Sequence, residues 1–243
     1  MVEQIASFLE SLGVSKAMEQ VSFLLDPVNI PFAIWETLYA PLAATVLAYI
    51  IGLPLGVLLV TGEEGGIRPL PKSFMRILNT VINLLRSIPF LILMVMVFPL
   101  SRLILGTTIG TMATIVPLTV AAAPYVARLV ESSLREMDRG VVEAAQSMGC
   151  SIWQIVTKVM LPECLPSLIN GATNATITIL SYGAMAGNIG GGGLGAISLQ
   201  RGYQRNQIIV LYVAVIILVL LVQIIQSVGT ALSVKADKRI THK

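Results

Sequence analysis

Residues 207–234 read QIIVLYVAVIILVLLVQIIQSVGTALSV and contain no Asp, Glu, Lys or Arg. A helix of about 20 apolar residues crosses the roughly 30 Å hydrocarbon core of a bilayer, and this run is longer than that. The rest of the 243-residue chain has a similar character, with 55% hydrophobic and 12% charged residues and a mean hydropathy of +0.83. Soluble domains carry about 25% charged residues. The sequence therefore predicts an all-α integral membrane protein.

Four more apolar stretches lie upstream of this run and bring the predicted number of transmembrane helices to five. The second of them is the least regular, because Arg86 and Arg102 would stand only about 24 Å apart along a helix. These arginines can be anchors that reach opposite interfaces, or they can serve a function, and the sequence leaves both readings open. The predicted spans cover about 35–60, 80–102, 110–129, 167–188 and 207–232.

The distribution of Lys and Arg predicts the orientation of the helices, because cytoplasmic loops carry an excess of basic residues. The side with the long loop and the C-terminal tail holds eleven: Arg68, Lys72, Arg76, Arg128, Arg135, Arg139, Lys158, Lys235, Lys238, Arg239 and Lys243. The other side holds four: Lys16, Arg102, Arg201 and Arg205. We therefore expect a cytoplasmic C-terminus and, with an odd number of spans, an N-terminus outside.

The N-terminal segment, 1–33, is predicted to be an extracytoplasmic extension and not a signal peptide. It has no basic start followed by a continuous apolar core, since Glu3 and Glu10 interrupt it. Apolar residues recur in it at roughly helical spacing, which predicts an amphipathic helix lying against the membrane. At the other end of the chain, 233–243 is predicted to be a basic cytoplasmic tail.

The chain lacks the residues that most catalytic and metal sites need. Its single His, His242, and its two Cys, Cys150 and Cys164, show no metal-ligand spacing. It has no G-x-x-x-x-G-K-[S/T] loop to hold ATP, and a net charge of +3 gives no reason to expect nucleic acid. We therefore expect no enzyme activity and no cofactor in this chain.

The fourth predicted span differs from the others because polar residues lie near one of its faces. They follow one another at three- or four-residue steps: Asn170, Thr173, Asn174, Thr178, Ser181 and Tyr182, with Met185 at the end. Such a stripe either bonds neighbouring helices or forms the wall of a translocation path, and both remain open. Likewise, Met185 can be simple packing or part of a gate. The candidate pathway and gate residues are Asn174, Thr178, Tyr182 and Met185.

Glycines predict close helix packing and one irregular turn. Small residues at four-residue spacing let helices approach one another in lipid. Residues 190–195 read GGGGLG, which formally matches a dinucleotide-binding loop, but no strand precedes them and no helix with an acidic residue follows. We expect a re-entrant turn there instead. The spaced glycines are Gly52 and Gly56, Gly106 and Gly110, and Gly183, Gly187 and Gly191.

The long cytoplasmic loop is predicted to form two short helices joined at a glycine. The first covers 141–147 and ends at Gly149, and Ser151 caps the second, which covers 152–160. Leu161-Pro162 is expected to stop the second helix. Such a pair of helices is small enough to enter a groove on a partner, although it can equally be a plain connector.

At this loop the sequence resembles a known family, the ABC importer permeases. Their motif is E-A-A-x₃-G-x₉-I-x-L-P, and Glu143, Ala144, Ala145, Gly149, Leu161 and Pro162 fit it, with Val159 at the position of Ile. Further segments make the chain similar to one subfamily, the permease subunits of methionine importers: 35–38, 52–59, 86–90, 115–120 and 192–195. The resemblance runs from about Trp35 to the C-terminus and does not cover the first thirty or so residues.

The resemblance implies the fold of a type I ABC importer permease, with a transmembrane domain at 34–232 and cytoplasmic coupling helices in the loop 139–166. It implies a homodimer in the bacterial cytoplasmic membrane, two ABC ATPase subunits that bind ATP and Mg²⁺, and an extracytoplasmic methionine-binding lipoprotein. The expected function is ATP-driven methionine import. The residues implied to couple the permease to the ATPase are Glu143, Ala144, Ala145, Gly149, Ser151, Ile152, Leu161 and Pro162.

Two alternatives remain open. A permease for another small solute, such as a polar amino acid or an osmoprotectant, would share the motif at Glu143. An ion-gradient transporter or a membrane scaffold would not need an ATPase. A gradient-driven carrier usually has acidic residues near mid-membrane, whereas here Glu36 falls at the edge of its predicted span.

Overall fold

The computed structural model of the chain describes residues 4, 5, 7 and 17–237. Over these residues it is helical and contains no strand. The helices are α1 (Ala17–Leu25), α2 (Asn29–Thr61), α3 (Lys72–Ser87), α4 (Phe90–Leu105), α5 (Thr111–Arg135), α6 (Arg139–Ser147), α7 (Ile152–Gln154), α8 (Leu161–Glu163), α9 (Leu165–Ala186), α10 (Gly193–Ala196) and α11 (Ile208–Ala236). Most of the predicted N-terminal helix before residue 17, and the tail residues Lys238, Arg239 and Lys243, lie outside the described residues.

Shorter helical segments connect some of these helices. A π-helix, Ile155–Met160, joins α7 to α8, and a second π-helix, Ile197–Tyr203, follows α10. A 3₁₀ turn, Gly187–Ile189, follows α9. The region between α9 and α11 is therefore irregular, as predicted from the glycines at 190–195.

Three helices of the described part are long and apolar enough to cross a bilayer: α2, α5 and α11. A fourth span results if α3 and α4 are counted as one broken crossing. The predicted fourth span corresponds to α9, which has 22 residues but is not among them, because its polar residues lower its hydropathy. Length and composition thus support three or four spans in the described residues, and α9 is outside that count.

The predicted second span, 80–102, is wrong as a single helix. The chain forms α3, breaks at Ile88 and Pro89, and starts again as α4. Ile88 is extended, with φ −80° and ψ 126°, which is the conformation that the residue before a proline favours. Since Pro89 has no N–H to continue the hydrogen-bond ladder of α3, the helix ends where the sequence reads Ser-Ile-Pro.

The chain divides into two compact units, which we describe separately. Unit 1 comprises Met1–Ala44, Phe90–Leu118 and Thr178–Ile224, and unit 2 comprises Thr45–Pro89, Thr119–Ile177 and Ile225–Lys243. Of the 16 Lys and Arg, four belong to unit 1 (Lys16, Arg102, Arg201 and Arg205) and the other twelve to unit 2. The loop 139–166 lies in the basic unit.

In unit 1, side chains of α1 satisfy the start of α11. Gln20 is fully buried, and its Oε1 accepts a hydrogen bond from the N–H of Ile209 at 2.9 Å. The first amides of a helix have no partner within it, so Gln20 supplies one from outside. Nε2 of Gln207 donates to Glu19 at 2.8 Å. Within unit 1, α1 is thus joined to α11 by polar contacts that its apolar pattern did not predict.

In unit 2, α2, α3 and α5 share a small apolar core. Leu59, Ile82 and Ala127 are buried together. The glycines of α2 let α5 approach closely, because a Cβ on Gly56 would lie 2.6 Å from the backbone oxygen of Ala127. A larger residue at that position would push the two helices apart.

A charged cluster in unit 2 adds polar links among the same helices. Arg128 donates to Glu131 at 2.6 Å and to Asn79 of α3 at 2.8 Å. Arg135 donates to Glu63 at 2.7 Å and to Glu131 at 2.9 Å. Because Glu131 is buried, with 9% of its surface exposed, two guanidinium groups are needed to compensate its lost hydration. Arg128 and Arg135 therefore fix the end of α5, from which the loop 139–166 begins.

Candidate functional site

The first half of the loop 139–166 is a helix with well-formed ends. Asp138 caps α6, because its side chain accepts a hydrogen bond from the N–H of Gly140 at 2.8 Å. At the other end Gly149 has φ +75°, and the N–H of Cys150 donates to the carbonyl of Ala145 at 3.1 Å. This is the Schellman arrangement that ends helices at a left-handed glycine. The predicted turn at Gly149 is confirmed.

The second half of the loop begins with a capping box. The Oγ of Ser151 accepts from the N–H of Gln154, and the side chain of Gln154 accepts from the N–H of Ser151 at 2.8 Å. The predicted N-cap at Ser151 is confirmed, and the Gln three residues later completes the motif. Two short helices with defined ends therefore meet at a turn, Gly149 and Cys150, that has a fixed conformation.

The predicted stop at Leu161-Pro162 is wrong. The chain continues through the π-helix Ile155–Met160 into α8, and after Cys164 it enters α9. Pro162 lies in the first turn of α8, a position at which helices accept proline. The motif residues Leu161 and Pro162 thus belong to a nearly continuous helical path that leads into α9.

The loop presents an exposed apolar surface that the sequence analysis did not single out. Met148 is 82% exposed and Trp153 is 75% exposed, and both flank the turn at Gly149. Glu143 and Ala144 are also exposed, whereas Ala145 is buried. Large apolar residues that lie outside the membrane spans and next to a rigid turn are typical of a docking surface. A signal for it was available, because Trp153 is one of only two Trp in the chain.

The polar stripe of α9 serves more than one purpose in the structure. Thr173 is a packing residue, since its hydroxyl donates to its own helix at Ile169, 2.9 Å away, and its side chain fits against Gly229. In contrast, Asn170 and Asn174 line a polar cavity of about 570 Å³ in unit 2, together with Ser133 and Ser167. The candidate pathway residue Asn174 is thus next to open space, while Thr173 supports the packing interpretation.

The candidate gate residues Thr178, Tyr182 and Met185 belong to unit 1. The ring of Tyr182 stacks on Phe90, with centroids 4.5 Å apart and an angle of 6° between the planes. Thr178 is half-buried. Met185 is 47% exposed and borders a shallow, mostly apolar groove formed with Leu218 and Val222. The arrangement therefore holds Tyr182 in place and leaves Met185 at the surface.

The glycine-rich turn at 190–193 is held by a residue that the sequence analysis placed only at the edge of a span. Oε1 of Glu36 accepts from the hydroxyl of Thr111 at 2.6 Å, and Oε2 accepts from the N–H of Gly193 at 2.9 Å. Glu36 therefore joins α2, α5 and the turn within unit 1. Its partners are 75 and 157 positions away in the sequence, which is why no local pattern reveals them.

The described residues hold no group of three or more His, Cys, Asp or Glu that could bind a metal ion. The side chains described above on the loop 139–166 and along α9 are apolar, hydroxyl, amide and carboxylate groups, which act by packing, hydrogen bonding and charge. Such groups can form a docking surface and a path for a solute.

Comparison with known proteins agrees with this geometry. A protein of Vibrio cholerae, "Probable D-methionine transport system permease protein MetI", is 50% identical over 218 residues, covering 89% of this chain and 96% of its own length. The Escherichia coli (strain K12) "D-methionine transport system permease protein MetI" is 47% identical over 154 residues, 63% of this chain and 70% of that protein.

Solved structures show the same fold. A chain from "Inward facing conformations of the MetNI methionine ABC transporter" is 43% identical with a TM-score of 0.84, covering 86% of this chain and 96% of that one. A chain of "an amino acid ABC transporter with histidines" has a TM-score of 0.68 at 15% identity over 95% of this chain and 98% of its own, a likeness of fold alone.

The match to a family is broad. Residues 52–236 match the family described as "Binding-protein-dependent transport system inner membrane component", and these residues include the loop 139–166, all of α9 and the glycine-rich turn. The α-helical architecture, the exposed loop and the relatives agree with this match, and the chain therefore belongs to the family of binding-protein-dependent transport system inner membrane components.

Proposed function

We propose that this chain is the permease subunit of an ATP-driven ABC importer and that it forms the path for methionine across the bacterial cytoplasmic membrane. Two copies pair with two ABC ATPase subunits, which bind ATP and Mg²⁺, and with an extracytoplasmic binding lipoprotein for methionine. The methionine assignment is supported by the relatives, whose names specify D-methionine, and by the solved methionine transporter. The chain itself hydrolyses no ATP.

The observation that carries this proposal is the exposed, well-capped loop 139–166. Met148 and Trp153 project beside a turn whose conformation is fixed by Gly149 and the cap at Ser151. A partner that binds Met148, Trp153 and the small face at Ala144 can displace the loop without bending it. Glu143 is exposed and can pair with a basic group at the rim of the groove.

The same loop connects the ATPase docking surface to the helix that lines the proposed methionine pathway. Its second half runs with little interruption through the π-helix 155–160 and α8 into α9, and α9 carries Asn170 and Asn174 at the edge of the 570 Å³ cavity. Closure of the ATPase dimer moves the docked loop as a rigid body, and α9 follows. Coupling is therefore mechanical, which agrees with a chain that has no nucleotide-binding loop.

We also propose an orientation, with the loop 139–166 and the C-terminus inside and the N-terminus outside. The support is that twelve of the 16 Lys and Arg belong to unit 2, as the positive-inside rule requires. In this arrangement residues 1–33 are an extracytoplasmic extension, 34–232 the five-span transporter domain, and 233–243 a cytoplasmic tail.

The test is uptake of radiolabelled methionine by vesicles that contain the complex of this chain, its ATPase and its binding protein. Gly149→Trp should lower uptake at least tenfold and abolish copurification of the ATPase, because a residue with a side chain is strained at φ +75° and indole would occupy the docking surface. Gly65→Trp is the matched control: Gly65 has φ +87° and, like Gly149, nothing within 4 Å of an added Cβ.

Three results would contradict the proposal. Full uptake by Gly149→Trp would refute the coupling role of the loop. Uptake by the chain without an ATPase would favour a gradient-driven carrier. A panel of competing solutes in which a polar amino acid or an osmoprotectant, and not D- or L-methionine, displaces the label would favour a different cargo.

A further inference from the structure

Glu36 is placed to control the glycine-rich turn of unit 1. It lies about two turns inside α2, and each of its two carboxylate oxygens accepts a hydrogen bond from a different segment. The hydroxyl of Thr111 donates to one oxygen at 2.6 Å, and the N–H of Gly193 donates to the other at 2.9 Å. Hydrogen bonds to a carboxylate are roughly twice as strong as neutral ones, so one side chain links three segments firmly.

The neighbouring residue extends the same contact. Oγ1 of Thr37 accepts from the N–H of Leu194 at 2.8 Å and donates to the carbonyl of Ala33 at 2.7 Å. The amides of Gly193 and Leu194 are the first two of α10, which have no acceptor within their own helix. The N-cap position of α10 is Gly192, which offers no side-chain bond. Two consecutive side chains of α2 therefore cap α10 in place of a local residue.

The glycines of the turn make this contact possible. Gly193 has φ +81°, and a Cβ there would lie 2.6 Å from Oγ1 of Thr37. A Cβ on Gly192 would collide with both Glu36 and Thr111. Residues 190–193 carry no side chains. Backbone bonds hold the start of the turn, as the N–H of Gly110 donates to the carbonyl of Gly190 at 2.8 Å, and the side chains of Glu36 and Thr37 hold its end at Gly193 and Leu194.

Resting on the proposed function, we infer that Glu36 is a positioning residue whose bonds to Thr111 and Gly193 hold the transporter in its resting arrangement until the loaded binding protein engages. One solved relative that matches this fold with a TM-score of 0.84 is described as inward facing, and the proposal assigns the bonds of Glu36 to that side of the transport cycle. ATP hydrolysis requires the other arrangement. Weakening the bonds shifts the population toward it and allows hydrolysis without the binding protein.

The test uses the complete complex with two measurements. One is ATPase activity with and without binding protein, and the other is amide hydrogen exchange in the peptide that contains 190–196. Glu36→Ala and Thr111→Val should each raise binding-protein-independent ATPase activity about tenfold, the size expected when a bond to a charged group is lost. Both should also speed exchange at 190–196.

Two variants serve as controls. Thr111→Ser keeps the hydroxyl and should behave as the unmodified complex. Thr114→Val removes a hydroxyl from the same helix that donates to the carbonyl of Thr111, 2.7 Å away and within α5, and it should change neither measurement. Glu36→Gln keeps one acceptor oxygen and should give an intermediate ATPase activity.

The inference is overturned if Glu36→Ala speeds exchange but leaves ATPase activity dependent on binding protein, because Glu36 would then be a structural residue only. It is also overturned if Thr111→Val and Thr114→Val behave alike. Should Glu36→Ala not assemble, the comparison of Thr111→Val with Thr111→Ser decides the question. Absence of methionine uptake by the unmodified complex would refute the proposed function instead, and the exchange comparison would still report on the position of the turn.

Discussion

Met185 is the residue at which two sequence interpretations, packing and gating, make different predictions. Its side chain is 47% exposed at the surface of unit 1, while Tyr182 one turn earlier is fixed against Phe90. An exposed Met near a symmetry axis can meet its copy in a dimer and close a path, because its flexible side chain adapts to an irregular gap. The exposure fits the gating interpretation, which stays a prediction.

We therefore expect Met185→Ala to raise methionine leak through vesicles without ATP, since it shortens the side chain that would close the path. The matched control is Met112→Ala, at a residue of the same unit that is 57% exposed. The measurement is efflux of labelled methionine from loaded vesicles. Equal leak rates in the two variants would assign Met185 to packing.

Single residues were predictable from sequence where the controlling interaction is local. The cap at Ser151 depends on Gln154, three positions away. The turn at Gly149 depends on the positive φ of that one residue, which glycine adopts without strain. Glu36 was not predictable in this way, since both of its partners come from distant segments. Met148 and Trp153 were likewise missed, because exposure of an apolar residue is decided by the fold.

At the scale of helices, four-residue glycine spacing turned out to have two meanings. Gly52 and Gly56 allow the close approach of α2 and α5, as predicted. Gly106 and Gly110 instead have φ +76° and +98°, with nothing near an added Cβ, so they form the turn between α4 and α5 and do not pack helices. The spacing is the same in both pairs, and only the conformation separates them.

Substitution of the α2 glycines tests this packing. Gly56→Ala should destabilise the protein by about 1–3 kcal/mol, because the new methyl group would lie 2.6 Å from Cβ of Val130 and from the oxygen of Ala127. Gly171→Ala is the matched control within unit 2, since its nearest neighbour, Cβ of Leu129, is 3.7 Å away. Thermal unfolding in detergent measures the difference, and equal midpoints would show that α2 and α5 do not depend on Gly56.

The helix boundaries show a similar limit. The apolar runs located α2, α5, α9 and α11 to within a few residues at most ends, because a helix that crosses the membrane needs a long apolar stretch of sequence. The break between α3 and α4 was missed, since a proline inside an apolar run is compatible with a kinked helix or with two helices. Pro99 remains inside α4, whereas Pro89 separates two helices.

For the whole molecule, the distribution of Lys and Arg along the sequence predicts which loops face the cytoplasm. In a background of Cys150→Ser and Cys164→Ser, Glu64→Cys should react with a membrane-impermeant maleimide only in inverted vesicles, and Tyr203→Cys only in intact cells. Both sites are well exposed, with 77% of the Glu64 side chain and 76% of Tyr203 accessible. The reverse pattern would refute the orientation and, with it, docking of a cytoplasmic ATPase on loop 139–166.

The uncovered Met148 and Trp153 also have a consequence for how the protein is made. In the proposed orientation, every copy of the chain that lacks its ATPase partner exposes this rigid apolar tip to the cytoplasm, where exposed apolar surfaces promote aggregation. Excess synthesis of this chain over its ATPase subunit would therefore increase aggregation. The exposed tip favours genetic arrangements that produce the two subunits in matched amounts.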